Sequence, residues 1–236
     1  QNFGILISAE EVREFMGLEK KEHTYRLLNT PRIKELWKEK YSNYPGNEDL
    51  DSVYENLQLV MSQILEEYCN PIPGCVELIE KMKSQDIKIG STTGYVKSMM
   101  KNIVPIAADK GFKPDSVVCP DDVLAGRPFP WMCYQNSINL KIYPLSKMVK
   151  IGDTPADIQE GLNAGMWTIG LTLSGNEVGL SQTQLNAMNE DEVLDKKNIA
   201  EKNLLNYGAH YVTDGLWSVQ PILDEINEKI KAGIKP

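Results

Sequence analysis

The chain lacks the features that would place it in a membrane, on a nucleic acid or behind a disulfide framework. No apolar run approaches the ~20 residues of a membrane span, and no signal peptide is visible. Four cysteines, Cys69, Cys75, Cys119 and Cys133, form neither a C-x-x-C pair nor a zinc-ligand spacing. Free thiols in a cytoplasmic protein are the expectation. Lysine and arginine, 25 in all, are outnumbered by 33 aspartates and glutamates, for a net charge of −8. That balance argues against a general nucleic-acid or anionic-membrane partner, and an anionic small molecule would need a local cluster of positive groups. There is no internal repeat and no low-complexity tract. What is present is 42% hydrophobic and 25% charged residues over 236 positions. This suits one large domain, or one domain with a smaller companion.

Residues 1–70 are helical in pattern. Ser8 to Glu11 reads as a capping box that leads into Val12, Phe15 and Met16 at helical spacing. A second helix is expected from Lys20 to Leu28, and a third restarts at Thr30-Pro31. A long amphipathic helix follows, marked by Leu50, Val53, Leu57, Val60 and Ile64. Asn70-Pro-Ile-Pro-Gly74 breaks the composition and divides this helical unit from residues 71–236. Beyond it, strands expected at 87–92, 116–119, 149–152, 167–171 and 209–212 alternate with helices. Such alternation predicts an α/β fold with a doubly wound parallel sheet.

The stretch Met148-Val-Lys-Ile-Gly-Asp-Thr-Pro-Ala-Asp157 reads as a strand, a tight turn and a helix that stops near Gly165. Asp153 lies at the strand's carboxyl end, where ligands bind in open α/β sheets, and Asp157 lies four residues on. The two carboxylates suit a hard divalent cation such as Mg²⁺, or else Asp153 caps the helix and Asp157 answers its dipole. Thr92, Thr93 and Gly94 end an earlier strand and suit either phosphate oxygens or an ordinary helix cap. Arg127, in the rigid loop Gly126-Arg-Pro-Phe-Pro130, is either a phosphoryl clamp or a surface charge. Lys20 and Lys21 precede His23. A lysine in an apolar pocket can attack a carbonyl, although helix lysines are usually solvated.

Taken together, these stretches resemble the haloacid dehalogenase superfamily, and within it the phosphonatase family. The matching segments are Met16-Gly-Leu-Glu-Lys-Lys-Glu-His23, Gly90-Ser-Thr-Thr-Gly-Tyr95, Pro120-Asp-Asp-Val123, Ala125 to Tyr134 and Asn163-Ala-Gly-Met-Trp167. The resemblance implies a Rossmann-like core under a helical cap and a Mg²⁺-dependent hydrolysis of phosphonoacetaldehyde to acetaldehyde and phosphate. It implies a Schiff base on Lys20, with His23 and Tyr95 assisting. Thr93, Gly94 and Arg127 would hold the phosphonate. Asp153 would bind metal, with Asp157 behind it or acting through water. It also implies a homodimer joined through the caps.

The superfamily nucleophile is the first aspartate of an Asp-x-Ala-Gly-Thr-like stretch ending the first core strand, and no such stretch occurs here. Gln1 aligns near the start of the cap, so the resemblance implies about thirty further residues upstream, enough for that strand and a linker. Two other functions stay open. One is a capped phosphatase or phosphomutase acting on a P–O bond, which has no need of an imine-forming lysine. The other is a non-catalytic remnant without the nucleophile.

Overall fold

The computed structural model describes residues 3–236. Its first unit is the expected set of helices: α1 (Ala9–Arg13), α2 (Lys20–Leu28), α3 (Pro31–Tyr41) and α4 (Asn47–Ile64). Ser8 and Glu11 form the capping box of α1. Glu19 caps α2, its carboxylate accepting from the backbone N–H groups of Lys21 and Glu22 at 3.1 and 3.3 Å. Pro31 opens α3, and Ser42 in the left-handed region (φ 67°) closes it. The unit has its own core of Ile5, Leu28, Ile33 and Trp37, on which Leu50 and Val53 of α4 pack. Each such side chain taken from water contributes roughly 1.5–3 kcal/mol before entropy is counted.

The second unit runs α5 (Cys75–Ser84), β1 (Gly90–Thr92), α6 (Lys97–Asp109), β2 (Ser116–Val118), α7 (Trp131–Leu140) and β3 (Val149–Gly152). It continues through α8 (Pro155–Asn163), β4 (Trp167–Leu171), α9 (Gln182–Ala187), α10 (Glu190–Asn206), β5 (Tyr211–Thr213) and α11 (Gln220–Lys231). Every strand pair is parallel, as the alternation predicts. All five residues of β4 are buried, because helices cover both faces of the sheet. Trp167, Ile169 and Leu171 pack on Val219 and Ile226 of the closing segment, while Ile158 of α8 and Leu204 of α10 meet on the opposite side.

Three strands are shorter than expected: β2 ends one residue early, at Val118, and β1 and β5 begin late where side chains take up backbone groups. Asp115 Oδ2 accepts from the Ile89 N–H at 2.8 Å, so residues 87–89 lie outside β1. Likewise, His210 N–H donates to Thr168 Oγ1 and Thr168 N–H donates to His210 Nδ1, both at 3.1 Å, so β5 begins only at Tyr211.

Among the described residues the sheet is in two parts, β1–β2 and β3–β4–β5. Between them runs a mainly apolar cavity of about 480 Å³, lined by Cys75, Met100, Ile103, Val117 and Ile151 and reaching Asp153. At its carboxyl end the two parts are tied by side chains rather than by backbone pairing.

Candidate active site

That tie is a cluster of buried charges. Lys150 of β3 points its Nζ at Thr92 Oγ1 (2.7 Å), Glu160 Oε2 (2.6 Å) and Asp157 Oδ1 (3.0 Å). Thr92 Oγ1 donates in turn to Glu160 Oε2 at 3.0 Å. Arg127 enters from its loop. Its Nη1 pairs with Asp157 Oδ1 at 2.7 Å, Nη2 donates to the Thr92 carbonyl at 3.3 Å, and Nε stands 3.7 Å from Glu160 Oε2. Lys150, Asp157 and Glu160 are all buried. Two cations and two carboxylates therefore share one dry pocket where the two sheet parts meet. Removing one member would leave a charge buried without its partner, which costs about 3–5 kcal/mol in comparable pairs.

Asp157 sits in the first turn of α8, where the N-terminal dipole favours negative charge. Burial opposes its ionisation, but Arg127 and Lys150 override that and hold its carboxyl down at about 2. Its Oδ2 also accepts from Thr154 Oγ1 at 2.6 Å. The cap of α8 is Thr154, whose hydroxyl accepts from the Asp157 N–H. The alternative in which Asp153 caps that helix is thereby corrected: Asp153 instead turns to the loop after β4. There its Oδ2 accepts from the Asn176 N–H at 2.9 Å. Among the described residues no lysine or arginine forms an ion pair with Asp153. Burial, and then the charge of Asp157, push its carboxyl above the usual range.

Thr92 and Thr93 do not cap α6 either, since Val96 precedes that helix without a side-chain cap. Thr93 Oγ1 accepts from the Tyr95 N–H at 3.1 Å, which folds the loop after β1 into a tight turn. Gly94 is required there by close approach: a β-carbon would stand 2.6 Å from the Leu18 carbonyl oxygen. The same cap segment presses on two more core loops. A β-carbon on Gly17, which has φ +89°, would meet Thr154 Oγ1 at 2.2 Å, and one on Gly126 would meet Glu19 Cβ at 3.1 Å. Arg13 completes the closure, with Nη2 donating to the Gly179 carbonyl at 2.6 Å.

This closure delivers Lys20 to the core. Lys20 Nζ is 3.7 Å from Met16 Sδ and 5.2 Å from the centre of the Tyr95 ring. Burial, and then the charge of Arg127, lower its pKa from the ordinary 10.5. Lys21, one residue on, is exposed and paired with Asp51 of α4 at 2.6 Å. His23 is buried edge-on to Phe15, and its Nδ1 has no hydrogen-bond partner. Burial and the nearby Lys20 charge push its pKa down to about 4, so the ring is neutral near pH 7. Burial also raises the Tyr95 hydroxyl.

The structure thus gathers Lys20, Tyr95, Thr93, Arg127, Asp153 and Asp157 at one end of the sheet, with His23 behind Lys20. Sequence reading missed Lys150, Thr154 and Glu160. A signal for Glu160 exists, because it lies three residues after Asp157 and so shares its face of α8.

Comparison with known proteins agrees in kind. A family model described as haloacid dehalogenase-like hydrolase matches residues 1–171. A phosphonoacetaldehyde hydrolase-like protein of Syntrophobacter fumaroxidans is 43% identical over 230 residues, covering 98% of this chain and 83% of the relative. The phosphonoacetaldehyde hydrolase of Bacillus cytotoxicus is 40% identical over 229 residues, covering 97% and 87%. The crystal structure of a phosphonoacetaldehyde hydrolase-like protein from Oleispira antarctica superimposes with a TM-score of 0.97 at 36% identity. That match covers 100% of this chain and 85% of the other.

Proposed function

The chain belongs to the phosphonoacetaldehyde hydrolase family of haloacid dehalogenase-like hydrolases, and we propose that it cleaves phosphonoacetaldehyde to acetaldehyde and phosphate through an imine on Lys20. The observation that carries this reading is the placement of Lys20. A half-buried amine with a lowered pKa, brought by the cap over Tyr95 and near Arg127, has no use in an ordinary phosphatase.

The neutral Lys20 amine adds to the aldehyde carbonyl, and the resulting carbinolamine takes up a proton and loses water to give a protonated imine. A carboxylate then attacks phosphorus. The electrons of the P–C bond pass into the carbon chain, converting the imine to an enamine and leaving the phosphoryl group on the carboxylate. Protonation at carbon and hydrolysis release acetaldehyde and free Lys20, and hydrolysis of the aspartyl phosphate releases phosphate. The attacking carboxylate is not among the residues gathered at this site. His23 and Tyr95 flank the amine and serve its proton transfers. Thr93 and the backbone of its turn, beside the Arg127 fork, receive the phosphonate oxygens.

The residues present fit a divalent cation, which we take to be Mg²⁺. Asp153 presents a carboxylate at a strand end with no ion pair of its own. Asp157 is committed to Arg127, Lys150 and Thr154, so it acts by fixing the surroundings rather than as a direct ligand. Among the described residues no three acidic, histidine or cysteine groups converge on one point. Backbone, water and the attacking carboxylate would therefore supply the remaining oxygens. When bound, the cation would supply positive charge to the phosphoryl group under attack.

Among the described residues no helix is long and apolar enough to cross a membrane. All four cysteines are buried free thiols, which supports the cytoplasm as the site of action. The exposed apolar residues Leu59, Val60 and Ile64 at the end of α4, with Tyr68 just beyond it, support a homodimer through the cap.

The direct test is phosphate release from phosphonoacetaldehyde and from an ordinary phosphate monoester by the full-length protein. Turnover of the monoester alone would favour the P–O reading. Arg127→Ala is expected to raise KM and lower kcat, because the clamp serves both substrate and transition state, and Arg127→Lys should recover only part of the loss. A kcat/KM within twofold of wild type for Arg127→Ala would remove the phosphonate from this loop.

A further inference from the structure

Lys150 and Glu160 take no part in the reaction above, yet both are buried charges, and Glu160 is fully enclosed. Their position explains why. Asp157 Oδ1 is shared by Arg127 (2.7 Å) and Lys150 (3.0 Å), and Glu160 Oε2 is shared by Lys150 (2.6 Å) and Arg127 Nε (3.7 Å). Without Lys150, both carboxylates would belong to Arg127 alone. In a dry pocket, two carboxylates would neutralise its guanidinium and leave little attraction for an incoming dianion.

We propose that Lys150 and Glu160 are a charge-balancing pair that keeps the positive charge of Arg127 available to the phosphonate. Lys150 takes up one unit of negative charge from Asp157 and Glu160. Glu160 gives Lys150 a partner that is not the ligand, so Lys150 holds Thr92 Oγ1 rather than competing for the phosphonate. Thr92 is on β1 and Lys150 on β3, so this contact lies where the two parts of the sheet meet. Lys150 and Glu160 are positioning residues, and the inference rests on the reading of Arg127 as a phosphonate contact.

The test compares inorganic phosphate binding, by calorimetry on the full-length protein, in wild type, Glu160→Gln, Lys150→Met and the double variant. Lys150→Met is expected to weaken phosphate binding by about tenfold or more, since it leaves an extra buried negative charge beside the clamp. Glu160→Gln should bind phosphate within about threefold of wild type or more tightly, because it removes negative charge. The double variant should return to within about threefold, because the balance is restored even though the hydrogen bonds are not. A merely structural role predicts losses that accumulate. Tenfold weakening in either Glu160→Gln or the double variant would therefore overturn the proposal, even if Lys150→Met fails to fold. Wild-type protein that binds no phosphate would instead overturn the reading of Arg127 as a phosphonate contact, and this proposal with it.

Discussion

Lys20→Arg is expected to abolish phosphonoacetaldehyde turnover, with kcat/KM falling on the order of 10⁴-fold or more, as when other covalent groups are removed. Arginine preserves the length and charge but cannot form an imine. Without the imine, the electrons of the P–C bond have no acceptor, so the leaving group is a bare carbanion. Lys21→Arg should stay within a few-fold of wild type, because Lys21 faces Asp51 on the cap surface. The pH profile follows from the direction of the Lys20 shift. Burial and Arg127 lower its pKa, so the reactive neutral amine is reached at a lower pH than for a free lysine. The rising limb of kcat/KM should therefore be centred below the ordinary 10.5. Substituting Arg127 by alanine should move that limb upward, since one of the two causes is removed. A limb that does not move would detach Lys20 from the phosphonate site.

Asp153→Ala should cost about 10³-fold or more in metal-dependent turnover, because metal charge at a phosphoryl group supplies several kcal/mol. Calorimetry with Mg²⁺ or Mn²⁺ provides a readout independent of catalysis: Asp153→Ala should bind neither measurably. Asp157→Asn should still bind metal, weakened on the order of 10–100-fold as for groups one step removed from a metal. It should also bind phosphate differently, because it frees one partner of Arg127. Equal metal affinity in wild type and Asp153→Ala would move the cation away from this strand end.

The parts of the fold legible in the sequence are those governed by local pattern. The turn from β3 into α8 is written in Gly152, Pro155 and the apolar spacing of Ile158 and Leu162. It places both aspartates at the sheet's carboxyl end. The helical unit follows equally from Ser8, Glu11 and the Leu50-to-Ile64 stripe. The division between Lys20 and Lys21 is a matter of helix phase, set by the Glu19 cap and by Asp51 across on α4. The buried pair was invisible for a different reason. A lysine inside a strand and a glutamate inside a helix ordinarily reach water. Only packing of α8 against β3 and β4, with Thr92 of β1 reaching Glu160, encloses Lys150 and Glu160 and makes them partners. The shortened ends of β1 and β5 are similar, since Asp115 and His210 act as ladder substitutes only once the chain has folded.

The proposed reaction turns on a covalent bond between Lys20 and the aldehyde carbon, and borohydride tests that bond directly. Borohydride reduces an imine to a stable amine, so full-length protein treated with phosphonoacetaldehyde or acetaldehyde should gain one alkyl adduct. Peptide mass spectrometry should locate it on Lys20, with Lys21 unmodified and labelling rising with pH along the same limb as kcat/KM. An adduct on Lys21, or no substrate-dependent adduct alongside an active Lys20→Arg variant, would contradict the imine mechanism and leave a phosphatase of P–O bonds.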